Sequence, residues 1–199
     1  MGDKVTNLGV GFLVTVVVAR YLGPEEFGLF SYAISVSTLF AAAGHMGLSG
    51  LVVREIVKRP DERGTTLGTT LGLKLIGMGG GYLLLLLYAG LYEGISSIEF
   101  VLLATAGAVL LLRPFDIVDF WFQAFVQARY VSFARISGLL ISSALKVSCV
   151  FLGASVIYFV AANVIQALVV AAMLLVLYSA KSVIVNRVVQ VSRFMRHTY

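Results

Sequence analysis

The sequence holds one cysteine, three prolines and two histidines, and charged side chains make up only 13% of its 199 residues, about half the share usual in soluble domains. The lone Cys149 cannot close an intrachain disulfide or build a CxxC metal site, and its apolar setting reads as that of a small buried residue. No HExxH, Ser-His-Asp or paired catalytic carboxylate arrangement occurs at a workable spacing, so enzymatic chemistry has no support, and no metal or other cofactor is implied. Gly77, Gly79, Gly80 and Gly81 are not a phosphate loop, because no Lys-Ser/Thr follows them and the run is apolar. With charge so scarce, the surface of this chain could not be wetted.

What is abundant is apolar. Hydrophobic residues make up 59% and mean hydropathy is +0.96. Uncharged runs occupy residues 27–53, 75–92 and 147–180, against the roughly 20 residues that cross a bilayer. The net charge of +5 would suggest nucleic acid in a soluble chain, but here the basic residues sit between apolar runs, where the positive-inside rule explains them. The expectation is an all-α integral membrane protein with no nucleic-acid partner.

Breaks between the runs predict six spans, at about 2–20, 27–53, 66–92, 98–122, 131–152 and 156–178, forming one membrane lobe over residues 1–178. The first apolar run, 5–19, measures about 22 Å as helix against about 30 Å of hydrocarbon. It reads as a helix beginning at or before Met1, although Lys4 ahead of it and Val17 with Ala19 would also suit a signal peptide. Gly23-Pro24 followed by two acids predicts a tight wet turn. Residues 54–63, with Pro60 and seven charges, predict a solvated loop, 93–99 a short acidic turn, and Gly153, Ala154 and Ser155 the turn between the last two spans. Residues 179–199, with Lys181, Arg187, Arg193 and Arg196, read as a basic cytoplasmic tail lying on the membrane surface. On this plan eleven Lys and Arg fall on one side and only Arg20 on the other, which places both termini in the cytoplasm.

Five charges remain inside spans: Lys74, Arg113, Asp116, Asp119 and Lys146. Each is costly against lipid, so each should face a protein interior or a water-filled cavity. At 100° per residue, Arg113, Asp116, Asp119, Gln123 and Gln127 fall on one stripe of the fourth span, with Pro114 bending the helix in their midst. The plainer alternative is that Arg113 and Asp116, three apart, neutralise each other. The five charges sum to +1, and a positive surplus within the membrane calls for an anion to meet it, a substrate with phosphate or carboxylate. Phe120, Trp121 and Phe122 suit an interfacial belt better than a sugar platform, and His45, among small residues, suits helix packing.

The stretch Ala19-Arg20-Tyr21-Leu22-Gly23-Pro24-Glu25-Glu26-Phe27-Gly28-Leu29 closely resembles the signature of Wzx-type polysaccharide (O-antigen) flippases of the multidrug/oligosaccharidyl-lipid/polysaccharide exporter superfamily, with Arg20, Leu22, Gly23, Pro24 and Gly28 at its motif positions. Gly47-Leu48, Val53-Arg54-Glu55-Ile56, Asp119-Phe120-Trp121-Phe122-Gln123 and Ala144-Leu145-Lys146 extend the likeness. The resemblance implies a bacterial inner-membrane protein that moves an undecaprenyl-pyrophosphate-linked oligosaccharide between leaflets, built like one of the two six-helix lobes of these exporters. It also implies that Lys74, Arg113, Asp116, Asp119, Lys146 and Gln123 belong to a cavity lining. Members are roughly twice this length, so the resemblance covers the first lobe, with a second half in the same frame or on a partner chain. The rival readings are a drug or cation exporter of the same superfamily and a non-transporting membrane assembly subunit.

Overall fold

Gly23 and Pro24 interrupt the first apolar stretch, and they shape the first element of the fold. In a computed structural model, which describes residues 2–44, 54, 58, 63–124 and 128–196, α1 runs Gly2–Gly44 and its helical dihedrals fail only at Gly23, at φ 71° and ψ 177°. After it come α2, Arg63–Tyr92; α3, Ile98–Leu112; a single 3₁₀ turn, Arg113–Asp116; α4, Ile117–Ala124; α5, Ala128–Phe151; and α6, Val156–Arg196. The described residues are helices and short turns, without strand.

Five of these helices are long and apolar enough to cross a bilayer, where the sequence predicts six. The spans expected at 2–20 and 27–53 are instead one element hinged at a single residue. The reason is local. Only glycine tolerates the φ that Gly23 adopts, and Pro24, with its φ preset and no N–H to satisfy, starts the following helical turn at once, so no loop is needed. The described end of the expected second span is Gly44; its remainder, His45, most of the expected 54–63 loop and Gln127 lie outside the described residues. Arg54 and Lys58 are helical and exposed.

Both arms of α1 hold to the same end of the bundle. Tyr21, just before the hinge, packs its ring at a tilt against Phe159 and donates its hydroxyl to the Ala154 carbonyl in the α5–α6 turn. Tyr32, after it, donates to Glu93 at 2.7 Å beside the α2–α3 turn and touches the Tyr88 hydroxyl at 3.2 Å. Further along, the Phe40 carbonyl lies 3.3 Å from where a Cβ on Gly81 would sit, so the second arm descends antiparallel to α2. Gly94 and Gly153, both at positive φ, make the two turns at this end, and the Ser97 hydroxyl caps α3 by accepting from the Phe100 N–H.

The main core joins these pieces: Leu22 and Phe30 from the two arms, Leu85 of α2, Leu103 of α3, and Phe159 of α6. A smaller core at the other end gathers Ile117, Phe122, Val131, Ala134 and Leu174. Outside both, a band of apolar side chains is exposed, including Ile76, Leu83, Leu91, Phe151 and Leu152; helices apolar all round are those of a membrane bundle. With neither Gly nor Pro between residues 156 and 196, nothing stops α6 at the expected boundary of 178, and it continues to Arg196.

Candidate functional site

Pro114 decides the local geometry where the charges cluster. A proline at the start of a turn has no N–H to give, and the chain answers by tightening to a 3₁₀ turn over Arg113–Asp116, with the Arg113 N–H bonded to the Val109 carbonyl. A 3₁₀ turn advances 120° per residue, not 100°, so the single polar stripe expected along 113–127 is split. Arg113 and Asp116 share one direction and line a cavity, whereas Asp119 is buried and accepts a 2.5 Å hydrogen bond from the Arg135 guanidinium of α5. Gln123 lies in α4, and its side chain is outside the described residues. Arg113 and Asp116 form no hydrogen bond with each other among the described residues, but the Arg113 charge acts on the Asp116 carboxylate, so the two remain electrostatic partners across the turn.

The cavity, of about 370 Å³, opens between the second arm of α1, the end of α3, α5 and α6. Its charged end carries Arg113, Asp116 and Arg135; its neutral polar wall carries Ser37, Asn163 and Gln166. Lys74 is buried on α2, outside the lining but near enough to Asp116, Asp119 and Arg113 for their charges to act on it. Three cations and two carboxylates therefore meet here, a surplus of one positive charge.

Lys146 stands apart from this group. The resemblance implies it in the cavity lining, but its ammonium donates to the Asn163 carboxamide oxygen at 2.8 Å and lies 5.9 Å from the centre of the Phe30 ring. It is thus behind the cavity wall, held by neutral groups: an oxygen acceptor and an aromatic face. The motif residues are structural in position. Leu22 is buried in the main core, Gly23 is the hinge, Pro24 opens the second arm, and Arg20 and Gly28 are exposed.

Sequence reasoning misses Arg135, Ser37, Asn163 and Gln166 as site residues. Arg135 counts as a loop charge in the tally of sides, yet it lies seven residues into α5; the embedded charges already summed to a positive surplus, so nothing in the sequence called for a further cation at Asp119. The three neutral residues carry no signal either, because Ser, Asn and Gln in membrane helices are common packing residues.

A family model described as polysaccharide biosynthesis protein matches residues 3–198 of the chain. No curated protein and no solved structure matches it.

Proposed function

The chain belongs to the polysaccharide biosynthesis protein family, and on that premise we propose that it is a flippase lobe carrying an undecaprenyl-pyrophosphate-linked oligosaccharide, such as an O-antigen repeat unit, across the bacterial inner membrane. The observation that carries this reading is the cavity walled by Arg113 and Arg135, with Lys74 near by, inside a bundle whose outer face is apolar. Fixed cations in such a setting are stabilised by an anion, and guanidinium groups match phosphate oxygens in bidentate geometry. The reading assigns no bond-making role to the protein. Arg113 and Arg135 hold the pyrophosphate while the lobe exposes it first to one side and then to the other, and a second lobe of like build, on the same chain or another, closes the cavity.

Orientation follows from charge. The hinge at Gly23 and the turns at Gly94 and Gly153 gather at one end; with the two arms of α1 taken as separate crossings, the Lys and Arg that the sequence assigns to the other end, Arg135 excepted, put that end, with both termini, in the cytoplasm.

Asp116, in the same cavity, supports a drug or cation exporter as the second reading. A cationic substrate would meet three basic groups beside two acids, so the charge balance favours the anion. Arg113→Gln in the complete chain is expected to lower surface-polysaccharide export by about tenfold or more, the loss of one charge-assisted contact or two, with membrane insertion unchanged. Unaltered export would remove the reading.

A further inference from the structure

The charged end of the cavity has an evident task under the proposed function; the neutral wall does not. Ser37 is 5% exposed, lines the cavity, and its hydroxyl has no hydrogen-bond partner. Buried hydroxyls are almost always bonded, so one left open on a cavity wall marks a place where a ligand group belongs. Gln166, one helical turn from Asn163 on α6, also lines the cavity, and its carboxamide makes no hydrogen bond among the described residues. Asn163 is oriented: its oxygen accepts from Lys146 and its nitrogen donates to the Phe159 carbonyl at 3.3 Å. One N–H and one lone pair of that amide remain available.

We infer that Ser37, Asn163 and Gln166 form a saccharide subsite that takes the sugar nearest the pyrophosphate, a deepening that rests on the flippase reading. The chemistry fits hydroxyl groups. Carboxamides offer a donor and an acceptor side by side, and a serine hydroxyl offers both, which is what vicinal sugar hydroxyls or an acetamido group require. None of the three is charged, so this wall does not compete for the phosphates.

Position sets the order of the ligand. Asn163 and Gln166 lie seven and ten residues into α6 from Val156, about 10 and 15 Å from the Gly153 end of the bundle. Arg113 follows the fifteen residues of α3, about 22 Å from that end. The sugar therefore sits closer to the Gly94 and Gly153 turns, and the pyrophosphate trails it toward the charged end. At about 370 Å³ the cavity is at the small end of ligand sites, about 300–1,000 Å³, so it reads the first sugar and not a whole repeat unit.

The test measures binding of three lipids to the full chain in nanodiscs: undecaprenyl pyrophosphate, and the same lipid bearing one hexose or one N-acetylhexosamine. The wild-type chain is expected to prefer at least one sugar-bearing lipid to the bare one by about threefold or more, the worth of one or two neutral hydrogen bonds. Ser37→Ala and Gln166→Met, both near-isosteric, should bring that ratio to about one. Arg113→Gln should weaken all three lipids and keep the ratio. Equal binding of bare and sugar-bearing lipids by the wild-type chain, or a ratio that survives both wall substitutions at unchanged melting temperature, overturns the subsite alone. If the wild-type chain binds none of the three lipids, the flippase reading falls with it.

Discussion

The Arg135 guanidinium on α5 and the Asp119 carboxylate on α4 meet at 2.5 Å, with the acid side chain 7% exposed and the base 57% exposed. The pair ties the short helix after the 3₁₀ turn to the wall of the cavity, and it has one foot in the interior and one in the open. Its worth lies between that of a surface ion pair, about 0–1 kcal/mol, and that of a broken buried one, about 3–5 kcal/mol.

A double-mutant cycle of Asp119→Asn and Arg135→Gln is therefore expected to give a coupling energy of about 1 kcal/mol. Unfolding in detergent monitored by circular dichroism measures it. A coupling indistinguishable from zero would mean that the contact does not fasten α4 to α5.

Gly23→Ala isolates the hinge. Nothing lies within 4 Å of the added Cβ, so any cost comes from the backbone, held at φ 71°, and is expected at about 1 kcal/mol or more. Gly28→Ala, in open space at ordinary helical dihedrals, should be neutral or slightly stabilising. Equal melting temperatures for the two variants would contradict a hinge that depends on glycine.

At Gly138 the constraint is space. A Cβ there would meet Val170 Cγ2 at 2.5 Å and the Gln166 carbonyl at 3.3 Å, so Gly138→Ala must push α5 from α6 and is expected to cost about 1–3 kcal/mol. Gly79→Ala, with nothing within 4 Å, is the matched control. The same detergent unfolding assay reads both.

Lys146 and Asn163 predict a suppression. Asn163→Leu takes away the oxygen that holds the ammonium and should cost about 2 kcal/mol or more, because a hydrogen bond to a charged group is lost and the group remains. Lys146→Met removes the charge itself and should cost less, or nothing. The double variant should be more stable than Asn163→Leu alone; additive losses would show that the ammonium does not depend on that oxygen.

Sidedness is open to labelling, since Cys149 is the sole cysteine. In a Cys149→Ala background, Ser96→Cys and Ser155→Cys, in the two turns at the hinge end, should react with an impermeant maleimide from the periplasm. Lys181→Cys should react only after the cells are opened. The reverse pattern would invert the proposed orientation.

Much of the bundle was legible in residue order alone. The turns at Gly94 and Gly153 follow from small polar residues between long apolar runs. Counting helices went astray at 20–27, where Gly-Pro and two acids read as a tight wet turn between two separate spans; one residue at positive φ makes the break within a single element. The polar stripe at 113–127 went astray for a related reason. A helical wheel assumes a constant advance per residue, and Pro114 breaks that constancy.

Run length set against bilayer thickness, and the rarity of charge, were enough to determine from the sequence that this chain is a bundle of apolar helices with five ionisable groups in its interior, because transfer from water to hydrocarbon acts on each segment separately. Which partner each charge meets was decided only in three dimensions. Asp119 finds Arg135 sixteen residues on, Lys146 finds Asn163 seventeen on, and Ser37 faces α6 from α1. Those meetings depend on how separate helices rotate and pack against one another, and no periodicity within a single helix carries that information.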